Sequence, residues 1–251
     1  MAKQNSYLKI KGTLGGLSFY KSRSGHLIRE KGGIDGKRMA TDPAFERTRE
    51  NNTEFGRATK GGQLVRAAFK SRLQLSKDKL LVSRLGKLMV RVVKSDPVSL
   101  RGARNVTMGD LSQLENFQFN DNALLGKTLN VTYIATIDRA TGQMEVSLPA
   151  FVPSGKVSAP IGATHFTLIA SGAELDFDGN HYVVDEAAAE NLPLDHLPTA
   201  PIDLSVTVTP GSTQPLLLAF GIVFTQEVNG LYYPLKDTSF NAMALVKVSG
   251  S

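Results

Sequence analysis

Apolar residues change their spacing along this chain, and the changes mark out segments of different secondary structure. Near the start, Tyr7, Leu8 and Ile10 are followed by Leu17, Phe19 and Tyr20, then by His26, Leu27 and Ile28. Gly12, Gly15 and Gly16 separate the first two runs and Ser24-Gly25 the second two, which predicts a small β-hairpin or meander. An isolated hairpin is marginal in water, so this piece is expected to pack on another part of the chain or on a neighbour.

Asp42-Pro43 then supplies an N-cap and a proline at the first helical position, where a missing N–H costs nothing. The helix that starts there passes Phe45 and Phe55, and Gly61-Gly62 is expected to bend or break it before Leu64, Val65, Ala68 and Phe69. The next helical stretch has the clearest period. Ser76 can cap it, Leu81, Leu85, Leu88 and Val92 recur at spacings of three and four, and Asp96-Pro97 ends it. Arg84, Lys87, Arg91 and Lys94 repeat with the same spacing on its other side and form a basic stripe. No Asp or Glu lies between Lys79 and Lys94, so the stripe cannot be neutralised within its own helix and is expected to need an outside partner.

From Leu124 onward the period falls to two. Segments 129–137, 144–148, 165–170, 182–184, 202–209, 216–227, 231–235 and 242–248 read as strands with Gly, Pro and Asn between them. Asn229-Gly230 is the strongest hairpin signal, because both residues tolerate the positive φ of a type I′ turn. The expected fold class is α+β: a basic N-terminal β-hairpin plus helices in residues 1–105, followed by an acidic antiparallel β-sandwich (Ig-like) domain in 106–251.

Charge strengthens that division. Residues 1–104 hold 24 Lys and Arg against 8 Asp and Glu, whereas 105–251 hold 5 against 15. Such asymmetry points to a polyanion or an oppositely charged protein surface as partner, and one such surface lies in the same chain. Composition adds three exclusions. With no cysteine there are no disulfides and no thiolate chemistry. The opening MAKQNSYLKIK lacks a signal-peptide apolar run, and the longest uncharged apolar run, 215–224, is strand length, so no membrane span is expected. A cytoplasmic protein is expected, or one released as part of an assembled particle or surface structure.

Catalytic constellations are absent from the pattern. His26, His165, His181 and His196 are scattered without ligand spacing, and neither G-x-S-x-G nor H-E-x-x-H occurs. Residues 56–62, GRATKGG, lack the Lys-Ser/Thr of a phosphate-binding loop. Asp176, Asp178, Gly179 and Asn180 imitate a calcium loop, but His181 and Ala187 stand where the turn glycine and bidentate glutamate would be, so a β-turn is expected. The chain is read as no enzyme, with no cofactor, metal or small-molecule substrate.

Residues 8–31, LKIKGTLGGLSFYKSRSGHLIREK, residues 42–56, DPAFERTRENNTEFG, and residues 221–235, GIVFTQEVNGLYYPL, resemble uncharacterised conserved proteins of similar length from Bacteroidota. The opening pattern of glycine turn, aromatic strand and basic strand is also similar to shorter uncharacterised families found near prophage genes. These resemblances imply no activity; they favour a component of a particle or surface assembly.

The leading expectation is therefore a non-enzymatic structural protein that self-assembles into a filament, ring or particle, its basic N-terminal region docking on the acidic β-domain of a neighbour. The residues expected at that contact, or at a polyanion, are Lys21, Arg23, Arg29, Arg84, Lys87, Arg91 and Lys94. Nucleic-acid binding through the basic helix is the alternative. A third reading is a carbohydrate- or protein-binding β-module using Tyr182, Tyr232 and Tyr233.

Overall fold

Positive φ at Gly15 and Gly16, and again at Gly25, reverses the chain twice near the N-terminus. The result is an antiparallel sheet of β1 (Ala2–Lys3), β2 (Gly12–Leu14), β3 (Leu17–Ser22) and β4 (Gly25–Glu30), in the order β1-β4-β3-β2. The structure, a computed structural model, describes residues 2–5, 7–22, 24–30, 32–73 and 78–250. It divides into two compact units, Met1–Arg49 and Glu50–Ser251.

In the first unit the meander forms from the second and third apolar runs, as its turn glycines predict. The first run does not become a strand: Tyr7, Leu8 and Ile10 are exposed, and β2 starts two residues after Ile10. Gln4 organises that stretch instead. Its amide accepts from the Ile10 N–H (3.0 Å) and donates to the carbonyls of Ile10 and Leu27 (3.2 Å each). Gln4 is the buried residue among those described in this unit; no apolar side chain there is buried. A short helix α1 (Gly36–Thr41) follows, and Asp42 then caps a 3-10 turn over Pro43–Phe45 by accepting from the Ala44 N–H (2.9 Å).

From that turn α2 (Glu46–Ala68) runs without interruption through Gly61 and Gly62, against the expected break. The reason is packing. A Cβ on Gly61 would lie 2.7 Å from Met89 Cε and 3.0 Å from Val106 Cγ2, so the glycine allows a close approach that a larger residue would block. After α3 (Lys70–Leu73), α4 (Leu81–Lys94) turns Leu85, Met89, Val92 and Val93 inward. The expected cap Ser76 lies outside the described residues; Asp78 accepts from the Leu80 N–H (2.6 Å) just before the helix.

The remaining chain carries two short helical turns, α5 (Leu125–Thr128) and α6 (Pro153–Lys156), and eight strands: β5 (Ile134–Asp138), β6 (Gln143–Leu148), β7 (His165–Asp176), β8 (His181–Pro193), β9 (Ile202–Thr207), β10 (Leu216–Val228), β11 (Leu231–Pro234) and β12 (Ala242–Ser249). One sheet has the order β11-β10-β7-β8 with β12 also paired to β10; the other has the order β5-β6-β9. The fold class is thus α+β with sandwich-like antiparallel sheets. The two sheets draw together at their margins, where the Thr207 N–H donates to Asp185 Oδ2 (2.8 Å) on one side and β12 runs beside β5 on the other. Asn229 (φ 52°) and Gly230 (φ 77°) make the predicted turn between β10 and β11. The strand expected from residue 129 begins only at 134, because 128–130 instead bond to 156–158.

The centre of the five-stranded sheet, β7, β10 and β12, is buried on both faces, and alternation assigns each side. Ala173, Leu175, Leu217, Ala219 and Leu245 face a core with α2 and α4; Phe166, Leu168, Leu216, Leu218, Phe220 and Ile222 face a core with β6 and β9. The helices and the three-stranded sheet therefore cover opposite faces of one central sheet. The compact units part between Arg49 and Glu50, not at the charge boundary near residue 105, because α2 and α4 complete the hydrophobic core of the sheet. No helix among the described residues is long and apolar enough to cross a membrane.

Candidate functional site

The helical layer gathers positive charge because, beyond Glu54, α2, α3 and α4 carry no acid to oppose it. Residues 55–77 and 79–95 contain no Asp or Glu. With Leu85, Met89, Val92 and Val93 turned to the core, Lys87, Arg91 and Lys94 stand exposed on the outer side of α4, none ion-paired to a described residue. Arg84 leaves the stripe. It pairs with Asp78 and lies over the Phe117 ring, 5.1 Å from its centroid, with its side chain 24% exposed. The expectation that all four residues need an outside partner is corrected for Arg84, whose counter-ion precedes the helix. Burial alone would raise the Asp78 pKa, but Arg84 and the backbone N–H groups of Leu80 and Asp121 outweigh it and hold the carboxyl below the usual range.

α2 widens this basic face. Lys60 is exposed and Arg66 partly so, and neither is ion-paired to a described residue. Between α2 and α4 runs a groove of about 430 Å³ lined by Phe55, Thr59, Gly62, Arg66, Val82, Leu85, Gly86 and Lys87 among others. Its walls are mainly apolar and its rim is basic.

The opposite side of the same unit has the opposite character. Along the three-stranded sheet the inward residues are Met144, Val146, Leu148, Ile202, Leu204 and Val206, so the intervening side chains point out. Register sets Ile134, Thr136 and Asp138 beside Ser147, Glu145 and Gln143, and these beside Asp203, Ser205 and Thr207. That outer face carries three carboxylates and no Lys or Arg. Sequence reasoning missed this set, since its acids lie far apart along the chain; strict alternation in β6 and β9 was the signal that could have found it.

In the first unit, Lys21 pairs in register with His26 on the sheet face that holds Phe19 and Ile28, whereas Arg29 lies opposite Ser18 on the other face, 5.6 Å from the Tyr20 ring centroid. The two do not form one patch. Arg23 lies outside the described residues. Burial, followed by the charges of Lys21, Lys9 and Lys11, pushes the His26 pKa below its ordinary value. On the same face as Lys21, Leu14, Leu17, Phe19 and Ile28 form an apolar row.

Other candidate chemistry is dispersed. Ser154 Oγ and His196 Nδ1 are 2.9 Å apart, a pairing that nucleophilic catalysis would require, but the adjacent Asp195 spends Oδ1 on the Leu197 N–H. Among the described residues no carboxylate is hydrogen-bonded to His196. Tyr182 sits on β8 and Tyr232 and Tyr233 on β11, at opposite ends of the strand order, so they make no shared aromatic platform. Asp176 Oδ1 accepts from the Asp178 and Gly179 N–H groups, which makes that segment the turn between β7 and β8.

No family model matches the chain, and no curated protein matches it. A solved structure described as "pH-induced modulation of Streptococcus parasanguinis adhesion by Fap1 fimbriae" is similar over 46% of this chain and 78% of its own, with 13% identity and a TM-score of 0.24. A likeness that slight carries no argument about function.

Proposed function

We propose that the protein is a non-enzymatic structural component that assembles with copies of itself, the basic helical layer of one copy docking on the acidic β-layer of the next. The observation that carries this reading is the back-to-back placement of the two layers, with Lys87, Arg91 and Lys94, ion-paired to no described residue, on one side and Asp138, Glu145 and Asp203 on the other. A contact between two different surfaces is heterologous, and surfaces facing opposite ways continue the contact from copy to copy. Each exposed ion pair contributes at most about 1 kcal/mol, so several must act together and salt must weaken them. The first unit, with 11 Lys and Arg against 4 Asp and Glu and no buried apolar side chain among its described residues, has both charge and uncovered surface to add.

Light scattering across a salt series tests this. Mass should rise with concentration at low ionic strength and fall toward the monomer at roughly 0.5 M salt, where the screening length is a few ångströms. Monomers at every concentration and salt would overturn it.

The exposed α4 stripe also favours a second reading, nucleic-acid binding. It requires retention of DNA or RNA on a filter with affinity falling steeply in salt, and loss of retention in a Lys87→Ala, Arg91→Ala, Lys94→Ala variant. Absence of retention at low salt would end it.

A further inference from the structure

We infer that the groove between α2 and α4 receives Ile134 of a second copy; this rests on the assembly reading above and specifies its contact. Two independent features of the chain point to it. The first is Gly86. It sits inside α4, where glycine costs about 1 kcal/mol relative to alanine, yet a Cβ built there meets no atom within 4 Å. Gly61 in α2 is different, because Met89 Cε would lie 2.7 Å from its Cβ. Packing within the chain therefore accounts for Gly61 but not for Gly86 or Gly56; of these last two it is Gly86 that lines the groove, where the missing side chain keeps the floor open to a visitor. The apolar walls that visitor would meet are exposed to solvent, Phe55 at 62% and Val82 at 57%.

The second feature is Ile134. It is the large apolar side chain on the outward positions of the three-stranded sheet, 66% exposed on a face otherwise polar and acidic. It stands at the start of β5, with Glu145 diagonally across on the same face. An apolar knob beside carboxylates matches an apolar groove rimmed by Arg66 and Lys87 in both hydrophobicity and charge. A nucleic acid would satisfy the rim and leave Phe55 and Val82 without an apolar partner, which is why a second copy is the favoured occupant.

The test uses the full chain and four variants, with the thermal midpoint of each as a folding control. Gly86→Leu fills open space and Ile134→Thr keeps the β-branch, so both should fold, and each should weaken self-association roughly tenfold or more. Lys87→Glu and Glu145→Lys should each weaken it, and an equimolar mixture of those two variants should recover mixed assemblies. If the wild type assembles in a salt-sensitive way while Gly86→Leu and Ile134→Thr assemble as well as it does, this contact is wrong and the assembly reading survives. A wild type that stays monomeric removes both. If Gly86→Leu leaves self-association intact but loses a single-stranded oligonucleotide of about 20 nucleotides, the groove holds nucleic acid and the inference falls.

Discussion

Arg84 reaches back to Asp78, and the ion pair is covered by Phe117, leaving Asp78 only 5% exposed and Arg84 24%. The pair fastens the entrance of α4 to the segment that follows it in space, since Asp78 also accepts from the Asp121 N–H (3.3 Å).

Asp78→Ala should cost about 2 to 3 kcal/mol, because it strands a largely buried guanidinium whose Nε already lacks a hydrogen-bond partner. Arg84→Met should cost less, as Asp78 keeps its backbone donors, and the double variant should cost less than the two single losses combined. Urea denaturation of the three variants measures this; additive losses would show that the residues act separately.

Asp96 predicts how stability responds to acid. Its carboxylate accepts from the N–H groups of Val98 (2.9 Å), Ser99 (3.0 Å) and Asn105 (3.1 Å), closing the chain after α4. Burial favours the neutral acid, but the Ser99, Val98 and Asn105 donors prevail and bring the pKa from 3.8 to about 2. Because the folded value is the lower one, ionised Asp96 favours the folded state above pH 3.8, and that contribution disappears as pH falls through about 2. Asp78, Asp110 and Glu174 are shifted in the same direction. The urea midpoint should therefore hold nearly level from pH 6 to about pH 5 and drop as pH falls from about 4.5 toward 2, and Asp96→Asn should start lower and decline less steeply. Parallel declines for both proteins would assign the acid sensitivity elsewhere.

The glycines of α2 should separate by environment. Gly56 has open space around its Cβ position, so Gly56→Ala should stabilise by about 0.5 to 1 kcal/mol through helix propensity. Gly61→Leu should destabilise by about 2 kcal/mol or more, since Met89 and Val106 occupy the space the side chain needs. Thermal melts of the two variants should move in opposite directions; a shared direction would mean that propensity or packing alone governs both sites.

Local signals were readable where local chemistry decides. Asn229-Gly230 is the turn its residues demand, Asp42 is a cap, and the α4 period names its buried side to within one turn. Readings failed where a distant neighbour decides. Residues 185–193, DEAAAENLP, have no strand character of their own, yet they extend β8 because β7 pairs with them. Gly61 reads as a break until Met89 is placed beside it. The basic face was visible because Lys87, Arg91 and Lys94 share one helix. The acidic face of the three-stranded sheet was not, since Asp138, Glu145 and Asp203 meet only through the register of three strands.

The layered placement of charge also makes the second unit an electric dipole directed across its sheets rather than along them. Such a body has a preferred orientation in any external field. Against an anionic surface it would settle with α4 downward and β6 facing the solvent; against a cationic one it would turn over.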